Sequence, residues 1–155
     1  MARRELEWAS KHKWAPITVK ENMSRDVESV DPETCVADIA QLMRDEVVGC
    51  VPVKEDGKVI GIITDRDITC RVTAGGRDPA TTTAKAIMTG DVSCCFEDDS
   101  LVKAAEIMEK KRVRRLPALN QDEDLVGLLT ADDLAWHTDR MLVGEVIQTI
   151  YEAHG

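Results

Sequence analysis

Gly61-Ile62-Ile63-Thr64-Asp65-Arg66-Asp67 decides how the rest of this sequence is read, because the chain returns to it as Gly127-Leu128-Leu129-Thr130-Ala131-Asp132-Asp133. Each stretch is an apolar run headed by glycine, closed by Thr-x-x-Asp and followed by an amphipathic segment. Apolar residues leading into a threonine mark the end of a buried strand. The threonine falls where a helix N-cap belongs, with a carboxylate three residues on. In a capping box, Thr64 Oγ1 accepts the N–H of Asp67 while Asp67 reaches back to the N–H of Thr64. Aspartate is shorter than the Glu or Gln that usually reaches back, which leaves room for a second task. A carboxylate at a helix start can accept two hydrogen bonds from a vicinal diol such as a ribose, and the N–H groups beside it favour phosphate. One copy leaves capping and ligand binding both open; a second copy changes the weighting.

Outward from these stretches the repetition continues. At a spacing of 65 residues, Met23 matches Met88, Asp26 matches Asp91, Val27 matches Val92, Ala40 matches Ala105 and Met43 matches Met108. Val48 matches Val113 and Pro52 matches Pro117 in the same register. One residue inserted in a hairpin shifts the spacing to 66 for Gly61, Thr64 and Asp67 against Gly127, Thr130 and Asp133. Internal repeats of this period mean two copies of one supersecondary unit.

The unit reads β-α-β-β-α. Ile17-Thr18-Val19 is expected to be extended, and a short strand over 27–30 ends at the turn signal Asp31-Pro32. Thr34 is an N-cap candidate for a helix with Val36, Ile39, Ala40, Leu42 and Met43 at helical spacing. Val51-Pro52-Val53 forms a strand with its proline near the start, where a missing N–H costs least. Asp56-Gly57 supplies the turn to the next strand, and a helix runs from Asp65 through Ile68 and Val72. The divisions are a tail over 1–15, a first repeat over 16–74, a linker over 75–83, a second repeat over 84–138 and an amphipathic helix over 139–155.

Composition bounds the function. A chain of 155 residues holds one domain or two small ones packed together. With three Trp, one Tyr and one Phe, its core is aliphatic. A net charge of −9 argues against nucleic-acid and anionic-membrane binding. No apolar stretch is long enough to span a bilayer and no h-region opens the chain, so a cytoplasmic location is expected. Cys35, Cys50, Cys70, Cys94 and Cys95 form an odd set without C-x-x-C, and His12, His137 and His154 share no ligand spacing with them. They read as reduced small hydrophobes, with a redox or metal sensor as the distant alternative. No motif pairs a nucleophile with a base, so no catalytic residue is expected. No dedicated metal site is named either.

Met23-Ser24-Arg25-Asp26-Val27, Gly49-Cys50-Val51-Pro52-Val53, Asp56-Gly57 and the Gly61–Asp67 stretch, with Met88-Thr89-Gly90-Asp91-Val92, Val113-Arg114-Arg115-Leu116-Pro117 and the second Thr-x-x-Asp, carry a resemblance to the CBS (cystathionine β-synthase) domain. The chain from about 16 to 138 looks like a stand-alone tandem pair. The resemblance implies an α/β (α+β) fold in which two β-α-β-β-α repeats pack about a pseudo-two-fold axis. It also implies clefts between the repeats for adenosine-containing ligands, AMP, ADP or ATP above all, and pairs that associate as homodimers.

By position, the resemblance puts Asp67 and Asp133 on the ribose hydroxyls and Thr64 and Thr130 near the ribose or phosphate. The adenine walls fall to Val27, Val48, Val51 and Pro52 in the first copy, and to Val92, Val113, Leu116 and Pro117 in the second. Arg114 and Arg115 sit where the family often carries a phosphate-binding cation, whereas the first copy has Gly49 and Cys50 there. Guanidinium suits phosphate because it bonds bidentately and keeps its charge. The cleft using Asp133 and Arg115 is therefore expected to bind nucleotide more tightly. Lys110, Lys111 and Arg112 read instead as a solvated helix end. No cofactor is obligatory, with Mg²⁺ entering at most alongside a nucleotide phosphate.

Beyond Asp133, Trp136 reads as a core or dimer contact and His137 as solvent-facing. The stripe Leu142, Val143, Val146, Ile147 and Ile150 needs covering by the body or a second subunit. Two functions compete: a ligand-sensing regulatory module that signals to an effector protein, and a structural dimerisation adaptor with vestigial clefts.

Overall fold

In chain order the elements are α1 (Val19–Asn22), α2 (Val36–Asp45), β1 (Cys50–Glu55), β2 (Lys58–Thr64) and α3 (Asp65–Asp67), which runs on as a π-helix over Ile68–Thr73. Then follow α4 (Ala84–Ile87), β3 (Cys95–Phe96), α5 (Leu101–Lys111), β4 (Arg115–Leu119), β5 (Leu125–Thr130) and α6 (Ala131–His137). The computed structural model describes residues 17–137, apart from the side chains of Trp136 and His137, together with Gly144, 147–149 and Glu152. The expected tail over 1–15, the contact assigned to Trp136, the setting of His137 and most of the apolar stripe over 139–155 lie outside the described residues.

The chain divides into two units. Val27–Val92 forms one as a single stretch, and the segments on either side of it form the other. In the continuous unit, β1 and β2 pair as an antiparallel hairpin closed by Asp56 and Gly57, whose φ values of 50° and 80° suit a two-residue turn. Val30 adds a parallel bridge to Val53, so the strand expected over 27–30 is reduced to one bridged residue. Ile39, Val51, Val53, Ile63, Val72 and Ile87 make the core. In the discontinuous unit, β4 and β5 form the corresponding hairpin and β3 lies parallel to β4 through Cys95 and Ala118. Its core is built from Val19, Ala104, Met108, Leu116, Leu129 and Leu134.

The units match bond for bond. Val19 N–H donates to the Asp99 carbonyl at 2.9 Å and Lys20 N–H to that of Glu97 at 2.8 Å. In the continuous unit, Ala84 donates to Thr34 at 2.8 Å and Lys85 to Pro32 at 2.9 Å, the donors 65 residues after Val19 and Lys20 and the acceptors 65 residues before Asp99 and Glu97. Ser24 and Leu128 exchange N–H···O bonds of 3.0 and 2.9 Å, as Thr89 and Ile62 do at 2.9 and 3.0 Å. Each sheet therefore takes its entry segment from the opposite sequence copy. The glycines that head the two Thr-x-x-Asp stretches serve this arrangement. A Cβ at Gly61 would overlap the Met88 thioether, and one at Gly127 would overlap that of Met23.

Two further local expectations change. Ile17-Thr18-Val19 leads into α1 rather than a strand, with the Glu21 carboxylate accepting both Thr18 N–H and Thr18 O–H at 2.8 Å. The backbone bond first, then the hydroxyl, holds the Glu21 carboxyl below its usual range. The N-cap of α2 is Cys35, not Thr34, and Cys35 makes no side-chain cap bond. Its counterpart Ser100 does cap α5, accepting from Lys103 N–H at 3.1 Å. A hydroxyl can satisfy an orphan amide at that position; a thiol is a weak acceptor.

Candidate functional site

The site in each unit begins where a strand hands over to a helix. Leaving β2, the chain turns at Thr64, whose extended backbone (φ −111°, ψ 162°) makes it the cap of α3. The Asp67 carboxylate returns through Oδ2, accepting Thr64 N–H at 2.8 Å and Thr64 O–H at 2.9 Å. Asp67 N–H donates to Thr64 Oγ1 at 3.2 Å. After β5 the same three bonds form between Thr130 and Asp133, at 2.7, 2.8 and 3.3 Å. Both Thr-x-x-Asp motifs are capping boxes, and each carboxylate performs that task with one oxygen only.

The residues facing each threonine differ. β4 pairs with β5 so that Arg115 lies directly opposite Thr130, while in the other hairpin Cys50 lies opposite Thr64. Directly paired residues project from the same face of a sheet within about 5.5 Å of each other at Cβ. Arg115 is half-buried and Cys50 is buried. The peptide before each strand also closes onto the helix start: Asp65 N–H donates to the Gly49 carbonyl at 3.1 Å, and Ala131 N–H to the Arg114 carbonyl at 2.9 Å. Arg114 and Arg115 thus adjoin the Thr130–Asp133 pair, and Gly49 and Cys50 adjoin Thr64–Asp67.

The apolar candidates divide. Val51 and Leu116 are fully enclosed by the cores of their own units. Pro52 and Pro117 are buried as well, whereas Val48 is exposed and Val113 and Val27 are half-buried. Val27, Val48, Val51 and Pro52 share a unit with Thr64 and Asp67. Val113, Leu116 and Pro117 share one with Thr130 and Asp133, whereas Val92 is the last residue of the continuous unit.

Arg71 was not among the expected site residues. Its Nη2 lies 3.3 Å from Asp67 Oδ1 and donates to Thr89 Oγ1 at 3.2 Å, while Nη1 donates to the Ile87 carbonyl. The spacing Asp67-x-x-x-Arg71 is the signal that finds it, since residues four apart meet on one helical face. Its counterpart in the second copy is His137.

None of the five cysteines is in a disulfide, and Cys70 is the exposed one. Burial pushes the Cys94 thiol up and drives that of Cys95 up to about 12, with the Asp99 carboxylate adding to the effect on Cys95. Among the described residues, no three His, Cys, Asp or Glu side chains gather as metal ligands. No described helix is long and apolar enough to cross a membrane.

The CBS domain model matches residues 17–72 and 84–137. The CBS domain-containing protein YhcV of Bacillus subtilis is 39% identical over 118 residues, covering 76% of this chain and 83% of its own length. The crystal structure of Hypoxic Response Protein I with two coordinated zinc ions superposes with a TM-score of 0.71 at 31% identity, over 79% of this chain and 99% of that one. The CBS domain pair of protein MJ0100, in complex with 5′-methylthioadenosine and S-adenosyl-L-methionine, shares the fold at a TM-score of 0.70 and 24% identity, over 79% of this chain and 95% of that one.

Proposed function

The chain belongs to the CBS domain family, and from that premise we propose that it is a regulatory module whose Thr–Asp pairs hold the ribose of an adenosine-containing ligand, AMP, ADP or ATP. The observation that carries this reading is the placement of Arg115 directly opposite Thr130, one strand away from the start of the helix that bears Asp133. In a chain with a net charge of −9, a half-buried cation beside a diol-competent carboxylate is the chemistry of a sugar phosphate.

In this reading the Asp133 carboxylate accepts ribose hydroxyls through Oδ1 while Oδ2 keeps the cap. Thr130 positions the carboxylate, and Arg114 and Arg115 take the phosphates. Val27, Val48, Val92 and Val113 supply apolar contact to adenine, the backbone of Val51, Pro52, Leu116 and Pro117 standing behind them. Mg²⁺ enters only with a nucleotide phosphate, and no chemical step is performed. The protein acts in the cytoplasm as a homodimer and passes its occupancy to an effector protein. Such a signal requires only that the ligand favour one of two poses by a few kcal/mol.

Calorimetry with AMP, ADP and ATP tests it. Asp133→Asn keeps a cap acceptor and removes the charge, and should weaken binding about tenfold or more, the size of a hydrogen bond to a charged group. Arg115→Ala should weaken ATP binding more than adenosine binding. Because both carboxylates already satisfy helix caps, an adaptor reading predicts no heat with any nucleotide and a loss of stability alone in these variants. That result would replace the sensor with a scaffold.

A further inference from the structure

The two acids that match in sequence are not equally available. A carboxylate has about four acceptor positions, two on each oxygen. At Asp133, Oδ2 is filled by the Thr130 N–H and O–H. Oδ1 receives no donor from the described residues. At Asp67, Oδ2 is filled in the same way, and Oδ1 is approached by Arg71 Nη2 at 3.3 Å. A vicinal diol needs two acceptor positions, and at Asp67 those on Oδ1 lie beside a guanidinium that pairs with the acid by charge while its hydrogen bonds go to Ile87 and Thr89. Arg71 is not a casual neighbour. The Ile87 carbonyl and Thr89 Oγ1 accept its hydrogen bonds, so its placement does not depend on the acid.

Resting on the nucleoside reading above, we propose that Arg71 is a built-in competitor for the ribose diol. It holds the Asp67 site closed, so that the Asp133 site fills first and the Asp67 site fills only after the ion pair has parted. Arg71 touches no ligand in this arrangement; it is a specificity-determining residue that acts by occupying Asp67 Oδ1. The pair is partly exposed, with the arginine side chain 44% and the aspartate side chain 15% accessible, so water and salt weaken it. It delays binding at this site without abolishing it.

The test uses adenosine, which is uncharged and reads the diol contact alone. In an Asp133→Asn background only the Asp67 site reports. Adding Arg71→Met should tighten adenosine binding about two- to fivefold, the range of an exposed ion pair. Arg71→Lys, which keeps a cation beside Asp67, should stay close to the single variant. A second measurement leaves the fold untouched. In Asp133→Asn with Arg71 intact, raising the NaCl concentration screens the pair and should tighten adenosine binding, an effect that a purely structural Arg71 would not produce.

If Arg71→Met binds adenosine no more tightly, or salt leaves the affinity unchanged, the competitor assignment is overturned. Weaker binding after Arg71→Met would make the arginine a ligand contact and overturn it too. If the unmutated protein shows no adenosine or nucleotide heat at all, the nucleoside reading falls and takes this inference with it. Binding by the unmutated protein with no response to Arg71→Met removes the inference alone.

Discussion

The unit built from Val27–Val92 and the unit built from the chain on either side of it share a frame and differ at the site. Entry-segment bonds, the position of the hairpin irregularity after Val53 and Ala118, the capping boxes and the glycine–methionine contacts all recur. What diverges is the set of side chains around each Thr–Asp pair: Arg115 where the other copy has Cys50, and Arg71 paired with Asp67 where the other copy has His137 in sequence. Duplication has kept the residues that the backbone needs. The residues around each Thr–Asp pair differ in charge and polarity instead.

The largest expected effects test whether the frames are equivalent. Ile63→Ala and Leu129→Ala remove fully buried side chains at matched strand positions. Each should cost about 2–5 kcal/mol, and urea titration should find the two within a kcal/mol or so of each other. A large gap would show that the discontinuous unit is packed differently from its twin.

Next come the glycines. Gly127→Ala meets the Met23 side chain and also the Ser24 carbonyl at 2.9 Å, whereas the three atoms nearest to a Cβ at Gly61 all belong to the flexible Met88 side chain. Overpacking costs about 1–3 kcal/mol, and Gly127→Ala should lie at the upper end with Gly61→Ala below it. Equal shifts in denaturation midpoint would mean that the backbone contact yields freely.

Smaller again is the strain after α2. Val47 has φ 55° and is 89% exposed, so a β-branched residue sits in left-handed backbone without burial to compensate. Val47→Gly should stabilise the protein by about 1 kcal/mol, and Arg112→Gly at the matched position (φ 56°) should gain less, because arginine is unbranched. Thermal denaturation decides between them; a destabilising Val47→Gly would mean that the exposed valine makes a contact worth more than its strain.

Cys35→Ser restores the cap that Ser100 provides to the other helix, and should add about 0.5 kcal/mol by the same measurement. No gain would mean that the thiol's surroundings, not its chemistry, leave that amide without a cap bond.

Smallest at neutral pH is an effect confined to alkali. The folded state holds the Cys95 thiol up to about 12 against its ordinary value of 9.0, so folding favours the protonated form. Its contribution is complete below the unfolded value and is lost as pH rises from about 9 towards about 12. Cys95→Val, which copies the Val30 of the other unit, should lose stability less steeply over that range. Parallel pH profiles would assign the alkaline loss to other groups.

Much of this was legible in the sequence because the signals are local. The turn at Asp56-Gly57, the two hairpins and the capping function of Thr64 and Thr130 each depend on residues no more than a few positions apart. The unequal cations at 49–50 and 114–115 follow from the register alone. What could not be read is which entry segment completes which sheet. Met23 and Met88 are the same residue in the same context, and so are Gly61 and Gly127, so either pairing satisfies the pattern equally well. The one-residue shift from Thr34 to Cys35 was available from Ser100 had the caps been compared across copies. Arg71 was hidden by the form of the repeat itself, since aligning it with His137 draws the eye to likeness, while its role comes from Ile87, Thr89 and Asp67, which no alignment of the copies brings together.

The exchanged entry segments also set a timetable for a chain made from its N-terminus. Residues 17–26 leave the ribosome well before the strand that receives Ser24, β5, which is among the last described residues to be translated. The stretch Val27–Val92 has all its partners in hand much earlier. The earlier entry segment therefore waits for its place, and a product truncated before Leu125 leaves Ser24 without its strand partner Leu128.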